Sequence, residues 1–302
     1  MTENITPTAG HRAGFVNIVG NPNVGKSTLM NDLVGERVSI ITSKAQTTRH
    51  RIMGIVNTDN YQIVFSDTPG VLAPKYKLQE SMLNQSEGAL TDADILLYVT
   101  DVVEDPLKNK DFLDKVARES IPVLLVINKI DLVKDQHQLE EIVDRWQKLL
   151  PNAQIFPTSA LEHFNVTNLM QRIVDLLPEH APYFGKDALT DKPARFFVTE
   201  IIREKILLNY DKEVPYSTEV IVEKFEEKEN SIHIMAVVYV ERDSQKGIII
   251  GHAGSAIKKI GVEARKDIET FFGKRVYLEI FVKVEPNWRN RDNKLRQFGY
   301  IE

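Results

Sequence analysis

Cysteine is absent from the 302 residues, which excludes disulfides, thiolate metal sites and a cysteine nucleophile. No apolar run reaches the roughly 18 residues that a transmembrane helix requires. The first residues, MTENITPTAGHRAG, also lack the apolar core of a signal peptide. The seven histidines show no spacing typical of a zinc site. Together these absences favour a cytoplasmic protein without structural zinc.

A strong charge of one sign is absent too, because the net charge of the chain is only −5. That charge is unevenly divided. Residues 181–302 contain 21 Lys and Arg against 20 Asp and Glu, a net charge of +1, so residues 1–180 carry −6. At about 150 residues per domain the length predicts two domains, and the net charge of the chain averages two unlike halves.

The first half alternates apolar, β-rich runs with helical patterns, and we place a first domain at 1–180. Nearly continuous apolar runs are typical of strands buried on both faces of a parallel sheet. Their alternation with helices predicts right-handed βαβ units in an open α/β sheet. Strands are expected near 15–20, 61–67, 93–101, 122–128 and 153–159, and helices near 26–35, 78–91, 108–119, 137–150 and 165–177.

The pattern changes after Leu177. Three prolines and several turn residues in 178–193 predict a linker, which we place at 181–193, followed by a second domain at 194–302. FFVTEIIREKILLNY (196–210) predicts a strand or turn leading into a helix. Two alternating runs joined by KEN then predict a β-hairpin. After the hairpin the sequence predicts, in order, a glycine-flanked segment GIIIG, a long helix, a strand at 275–285 and a basic tail.

The segment GNPNVGKS (20–27), called the phosphate loop below, fits G-x-x-x-x-G-K-[ST] between a predicted strand and a predicted helix. Backbone N–H groups and the helix N-terminus of such a loop cradle phosphates. Gly25 lets the backbone approach the phosphates, the Lys26 ammonium can bridge the terminal phosphates, and the Ser27 hydroxyl can ligate Mg²⁺. The alternative to a phosphate-binding loop is an ordinary Gly-rich turn between a strand and a helix.

Asp67-Thr68-Pro69-Gly70 fits D-x-x-G at the end of the second predicted strand. Asp67 is positioned to hold Mg²⁺ through water, and the Gly70 N–H is positioned to meet a γ-phosphate. The tetrapeptide is weak by itself, because a turn after a strand has the same composition. Its place downstream of the phosphate loop gives it weight.

Asn128-Lys129-Ile130-Asp131 follows another predicted strand and indicates a guanine site. The Asp131 carboxylate can accept hydrogen bonds from guanine N1–H and the exocyclic amine, whereas adenine would leave that charge unpaired. Asn128 would tie this segment to the phosphate loop, and the Lys129 stem would cover the base. Ser159-Ala160-Leu161 ends the next strand, where the Ala160 N–H can bond guanine O6.

The order of these motifs along the chain resembles that of the translation-factor-related class of GTPases: GNPNVGKS, a threonine in a switch loop, DTPG, NKID and SAL. KAQTTRHR (44–51) narrows this to a resemblance to the Era family of bacterial ribosome-assembly GTPases. Within it Thr48 matches the family's Mg²⁺- and γ-phosphate-sensing threonine, and Thr47 is a competing assignment. The predicted GTP-binding residues are Gly20, Asn21, Asn23, Val24, Gly25, Lys26, Ser27, Thr28, Asp67, Gly70, Asn128, Lys129, Asp131, Ser159, Ala160 and Leu161.

The resemblance implies an α/β P-loop GTPase domain with a mostly parallel sheet, followed by a smaller α+β KH domain of type II. It implies GTP and GDP as ligands and Mg²⁺ held by Ser27, Thr48 and Asp67. Lys26, Thr48 and Gly70 are the predicted catalytic groups. Such switch loops order around the γ-phosphate and relax after hydrolysis.

Val71 stands where Ras-like proteins use a glutamine to orient the attacking water, so the intrinsic rate should be low. The resemblance implies a different arrangement, with backbone groups or a monovalent cation near the leaving phosphate. We predict Asn23 as a K⁺ ligand. The alternative, that Asn23 only shapes the loop, stays open.

Gly251-His252-Ala253-Gly254, the GxxG loop, lies within IIIG-x-x-G-x-x-I-K-x-I-G and looks like the nucleic-acid clamp of a KH domain. Backbone N–H groups of such a loop clamp phosphates while apolar neighbours hold splayed bases. Ala253 departs from the basic residue that KH loops usually carry there. The alternative is a helix cap beside a solvated basic helix. The predicted RNA-binding residues are Lys246, Gly251, His252, Gly254, Lys258 and Lys259, with Lys274 and Arg275 as extensions of that surface.

The resemblance implies the 3′ end of small-subunit ribosomal RNA and the small ribosomal subunit as partners, and subunit maturation as the process. A monomer with peripheral association at the inner membrane face is expected. The basic tail 288–300 is read either as an RNA contact or as a helix that packs Trp288, Leu295 and Phe298 on the sheet. A GTPase partner of an RNA-modifying system and a membrane-associated signalling GTPase are the alternative functions.

Overall fold

The computed structural model of the chain describes residues 10–301. Most of the N-terminal stretch from which we predicted no signal peptide therefore lies outside the described residues. The chain divides into two compact units. The first takes in the residues up to Ser39, 48–74 and 82–191, and the second takes in 40–47, 75–81 and the residues from Lys192 onward. No helix among residues 10–301 is long and apolar enough to span a membrane.

The first unit is built on six strands with helices between them. The strands are β1 (Arg12–Val19), β2 (Ile52–Asn57), β3 (Tyr61–Asp67), β4 (Ile95–Asp101), β5 (Val123–Asn128) and β6 (Gln154–Pro157). The helices up to residue 176 are α1 (Lys26–Val34), α2 (Lys77–Thr91), α3 (Lys110–Val116), α4 (Gln136–Leu149) and α5 (Val166–Leu176). The sheet order is β2-β3-β1-β4-β5-β6, and β2 alone runs antiparallel to its neighbour. The prediction of a mostly parallel α/β sheet is confirmed.

Strand β2 is missing from the sequence prediction. Its six-residue run IMGIVN is interrupted by Gly54, and the segment before it is polar, so neither length nor alternation singles it out. The tertiary fold forms the strand by pairing it with β3, where Ile55 lies opposite Val64. A Cβ at residue 54 would lie 2.7 Å from the Val34 Cγ2 and 2.8 Å from the Met30 Cε, so a larger residue in this strand would require side chains of α1 to shift.

The parallel strands bring their carboxyl ends to one edge of the sheet. The central strands are buried on both faces, and all seven residues of β4 are buried. This is why the apolar runs are nearly continuous. The predicted motifs follow the ends of β1, β3, β5 and β6, and in open α/β sheets such edges form the ligand site. The fold thus gathers segments that are more than 100 residues apart in sequence.

The second unit follows the order α6 (Ala194–Asn209), β7 (Glu219–Glu227), β8 (Ser231–Val240), α7 (Asp243–Ile250), α8 (Ser255–Phe272), β9 (Arg275–Val284) and α9 (Asp292–Gln297). Strands β7 and β8 form the predicted antiparallel hairpin, with a bulge between Val222 and Lys224. Strand β9 joins β8 in parallel, which gives the sheet order β7-β8-β9.

The expectation of a strand or turn at the start of 196–210 is wrong, because α6 is helical from Ala194. The aromatic and β-branched residues FFV favour extended structure locally. However, Phe197, Val198, Ile201 and Ile202 recur at helical spacing and are all buried, so burial of this face outweighs the local preference.

The segment 178–191, most of which we predicted as linker, belongs to the first unit. Short bridges pair Arg12 with Glu179 and Gly54 with Thr190, so this segment contacts the start of the central strand β1 and the edge strand β2. The proline and turn residues correctly indicated a segment without regular structure. They do not show whether such a segment is a free linker between domains or packs against one of them.

Candidate functional site

The phosphate loop connects β1 to α1 in the context that the motif requires. Asn23 and Gly25 have positive φ angles of 68° and 97°, which bend the loop. The Lys26 Nζ lies over the loop and donates hydrogen bonds to the carbonyls of Gly20 and Asn21 at 3.0 and 2.8 Å. An ammonium has three donors, so this geometry leaves one for a phosphate oxygen.

Gly25 is required by packing as well as by backbone angle. A Cβ there would lie 2.2 Å from the Asn128 Nδ2, far inside contact distance. The Asn128 amide donates to the Val24 carbonyl at 2.9 Å, and its oxygen accepts from the Ala160 N–H at 3.0 Å. Asn128 is buried, so it links the phosphate loop to the segment after β6, as the sequence predicts.

Three predicted Mg²⁺ ligands converge beside the phosphate loop. The Ser27 hydroxyl lies 2.6 Å from the Asp67 Oδ2 and 3.0 Å from the Thr48 Oγ1. The Thr48 hydroxyl lies 3.3 Å from the same carboxylate oxygen. The other carboxylate oxygen of Asp67 is buried without a hydrogen-bond partner among the described residues. Hydroxyl and carboxylate oxygens are the donors that Mg²⁺ prefers, so these residues fit the ion.

Thr47 lies elsewhere. Its hydroxyl is 2.6 Å from the Thr42 hydroxyl and 2.6 Å from the Lys44 carbonyl. The structure thus places Thr48, and not Thr47, with Ser27 and Asp67.

The two charged groups of this site are both desolvated. Burial lowers the pKa of Lys26 to about 8, although the nearby Asp67 opposes the shift. Burial likewise raises the pKa of the Asp67 carboxyl, against the effects of Lys26 and the Ser27 hydrogen bond. Each charged form would therefore gain from a counter-charge. A phosphate supplies one for Lys26, and a divalent cation supplies one for Asp67.

The base-recognition residues are also together. Asp131 is exposed, and its Oδ1 accepts a hydrogen bond from the Ser159 hydroxyl at 2.5 Å. Lys129 adopts a left-handed backbone with φ of 61°, which turns the chain between Asn128 and Asp131. Leu161 is 71% exposed beside them. An exposed carboxylate next to a buried asparagine is the kind of acceptor that the predicted recognition of guanine requires.

Asp101, which ends β4, was missed by the sequence analysis. Its Oδ2 lies 2.6 Å from the Lys129 Nζ, and that Nζ also donates to the Asn23 carbonyl at 2.5 Å. This carboxylate orients the lysine stem that we predicted to cover the base. The available signal was its position, because a polar residue that ends a buried strand lies at the ligand edge of the sheet.

The GxxG loop lies between α7 and α8 in the second unit. Ala253 and Gly254 have positive φ angles of 47° and 76°, and His252 and Ala253 are exposed. The loop thus projects into solvent, and its tip carries no strong positive charge. Lys258 and Lys259 lie exposed on the first turns of α8, and Lys246 is half-buried on α7. The six predicted RNA-binding residues, with Gly251 at the start of the loop, therefore lie in one continuous segment made of α7, the GxxG loop and the first turns of α8.

A groove of about 460 Å³ runs beside α8 along the edge strand β9. Apolar side chains and the Lys258 stem line it together with Arg265 and Tyr277, which the sequence analysis missed. Tyr277 is 57% exposed and stacks on His233 at 4.6 Å between ring centroids. Aromatic and arginine side chains of this kind stack on unpaired bases. Only strand pairing could reveal this placement.

Several basic residues outside this segment are paired, whereas Arg275, which we predicted as an extension of the RNA-binding surface, is exposed. Lys274 lies 2.7 Å from Glu227 in an ion pair. In the tail, Arg289 pairs with Glu241 and Arg291 with Glu285, both at 2.5 Å. Trp288, Leu295 and Phe298 are buried as the packing alternative predicted, and the Trp288 indole donates to the Ser217 carbonyl. The tail is therefore part of the core of the second unit.

The first unit thus has the fold and site of a P-loop GTPase domain, and the second has the α-β-β-α-α-β order of a KH domain. Comparisons with known proteins agree. A family described as 50S ribosome-binding GTPase matches residues 15–129, and a KH domain family matches residues 213–289.

Two solved structures are similar over nearly the whole chain. One is a tyrosine-to-alanine variant of Era from Aquifex aeolicus bound to GDP and AlF4⁻, with 39% identity, 96% of this chain and 100% of that chain covered, and a TM-score of 0.92. The other is Era in complex with MgGDPNP and nucleotides 1506–1542 of 16S ribosomal RNA, with 40% identity, coverages of 97% and 100%, and a TM-score of 0.92. This chain belongs to the Era family of GTPases.

Proposed function

We propose that this protein is a GTP-driven switch that binds small-subunit ribosomal RNA near its 3′ end and assists maturation of the small ribosomal subunit. The observation that carries the proposal is that one chain combines a complete guanine-nucleotide site with an exposed GxxG loop. The two similar Era structures, one bound to a GDP–AlF4⁻ complex and one to 16S ribosomal RNA, support the same pairing of activities.

Residues 1–180 act as the GTP-binding domain and residues 194–302 as the RNA-binding domain, with 181–193 between them. In the first domain Lys26 binds the terminal phosphates and Asp131 selects guanine. Ser27, Thr48 and Asp67 would hold Mg²⁺, which when bound neutralises charge on the phosphates during hydrolysis. The Gly70 N–H donates a hydrogen bond to the γ-phosphate. Loss of that phosphate after hydrolysis relaxes the segment that follows Asp67.

The RNA target is tested by crosslinking in cells with protein held in its GTP-bound state, followed by sequencing of the attached RNA. Recovery of small-subunit rRNA 3′ ends is expected. A matched chain carrying Gly254→Asp should recover far fewer of these fragments. Enrichment of unrelated RNA, or equal recovery by both chains, would contradict the proposed target.

The role of Asn23 as a K⁺ ligand is part of the proposal. Its side chain is exposed at the tip of the phosphate loop, while its carbonyl is engaged by Lys129. GTP hydrolysis should be faster in KCl than in NaCl at equal ionic strength, and Asn23→Ala should remove the difference. Equal rates in both salts for the parent protein would mean that Asn23 only shapes the loop.

The expected location and assembly state belong to the same proposal: a cytoplasmic monomer with peripheral association at the inner membrane face. Sedimentation of the purified protein tests the monomer. Fractionation of cells, before and after a high-salt wash, tests peripheral association, because an electrostatically bound protein leaves the membrane in high salt.

A further inference from the structure

Asn109 lies just before α3 and joins two parts of the nucleotide site. Its Nδ2 donates one hydrogen bond to the Asn21 Oδ1 at 2.5 Å and another to the Val71 carbonyl at 2.9 Å. Asn21 is in the phosphate loop, and Val71 directly follows the D-x-x-G motif. Asn21 and Val71 are each only 3% exposed, so water competes little for these bonds.

The side chain is not committed to its own helix. Asn109 occupies the N-cap position of α3, where asparagine commonly accepts a bond from the first turn, but it makes no side-chain cap hydrogen bond here. Both amide hydrogens point to the nucleotide site instead. The identity of this residue therefore matters more to that site than to the start of the helix.

The contact is supported from both sides. The Val71 N–H donates to the Gly20 carbonyl at 3.1 Å, so Val71 is bonded to the phosphate loop directly as well as through Asn109. Asn21 also faces the Glu104 carboxylate, since its side chain opposes the rise in the pKa of Glu104 that burial causes. That carboxylate accepts a hydrogen bond from the Thr100 hydroxyl at 2.9 Å. A carboxylate only accepts, so the Asn21 amide nitrogen suits Glu104, and the Asn21 oxygen accepts from Asn109.

We propose that Asn109 is a positioning residue for GTP hydrolysis, acting through Asn21 and Val71. Valine cannot orient an attacking water, so the reaction depends on where the Gly70–Val71 backbone lies relative to the phosphates. Asn109 holds that backbone against the phosphate loop. The inference rests on the proposed function and adds a residue that lies outside the nucleotide-binding motifs.

The test is Asn109→Asp in the full-length protein. Aspartate keeps the shape and is as good an N-cap, but it cannot donate and faces two oxygen acceptors. The kcat for GTP should fall about 5- to 50-fold, as expected when two hydrogen bonds of ordinary strength are lost. The KM for GTP and the Kd for GDP should stay within about twofold, because the lost contact orders the reacting geometry and touches no bound group.

Asn152→Asp is the matched control, because Asn152 is an exposed loop residue of the same unit and the change in charge is identical. Its kcat should equal that of the parent. Asn109→Ser, whose hydroxyl is too short to reach both acceptors, gives the same test should Asn109→Asp fail to fold. An unchanged kcat in these variants, or losses of GDP affinity as large as the loss of kcat, would refute the positioning role. A parent protein without GTPase activity would instead refute the proposed function.

Discussion

Asn128 and Asp131 are three residues apart, yet their environments are opposite. Asn128 is 3% exposed and bonded on both sides of its amide, so it fixes the loops. Asp131 is exposed and is held by one short bond from Ser159. The buried Asn128 amide thus holds the loops in place, and the exposed Asp131 carboxylate is the group proposed to recognise the base.

Asp131→Asn should shift preference from guanine toward xanthine nucleotides. The amide nitrogen would face the guanine N–H groups, while xanthine offers it a carbonyl. GTP affinity should fall about 10- to 100-fold, since hydrogen bonds to a charged group are lost. Fluorescence titration with labelled GDP and XDP measures this shift.

Asp144→Asn is the control for the change in charge, because Asp144 is exposed on α4. It should bind GDP like the parent. Unchanged GTP affinity in Asp131→Asn would mean that the base is recognised elsewhere.

At the scale of elements, α7, the GxxG loop and α8 form the proposed RNA-binding part of the second unit. The loop projects between two helices, and the apolar groove lies beside α8 along β9. The glycine φ angle of 76° at Gly254 is unfavourable for most side chains. A Cβ added to Gly254 would meet no atom of the described residues within 4 Å, so space does not limit a substitution there.

Gly254→Asp should abolish RNA binding and leave GTP hydrolysis by the isolated protein nearly intact. Aspartate adopts positive φ more readily than most residues, and its carboxylate would repel the phosphates that the loop clamps. Gly254→Ala places a side chain on the same positive-φ backbone but adds no charge, so this variant should retain most RNA affinity. Electrophoretic mobility shift and phosphate-release assays on the same preparations separate the two effects. Normal RNA binding by Gly254→Asp would remove the clamp assignment.

At the scale of the whole molecule, the distribution of charge matters more than its sum. Ion pairs within the second unit neutralise Lys274 and much of the tail. Exposed positive charge stays near the GxxG loop on Lys258, and on Lys259 beside its partner Glu263, with Lys246 half-buried beside them. Exposed Arg265 and Lys266 extend it along α8. A chain of net charge −5 can therefore still present a local cationic surface to RNA.

RNA affinity should consequently depend weakly on salt. Three lysines that neutralise phosphates of a single strand predict a slope of about −2 in log K against log salt. A variant with Lys246, Lys258 and Lys259 changed to Gln should reduce that slope to near zero. A steep slope that survives in this variant would mean that other cations, such as Arg265 beside the groove, carry the electrostatics.

Local sequence determined much of the nucleotide site. The phosphate loop, D-x-x-G and N-K-x-D are read from residues that are adjacent in the chain, because backbone curvature and donor type are local properties. The alternation of apolar runs was likewise sufficient for the parallel sheet. The same local patterns left β2 unseen and misread the start of α6, since both depend on what packs against them.

Tertiary structure alone decided which distant groups meet. Thr47 and Thr48 are chemically identical neighbours, and only the fold places the Thr48 hydroxyl beside Ser27 and Asp67. The same holds for Asp101 against Lys129 and for Asn109 between Asn21 and Val71. The physical reason is that a sequence pattern encodes the period and polarity of each segment, whereas hydrogen bonds between segments depend on register and side-chain direction that exist only once the sheet is assembled.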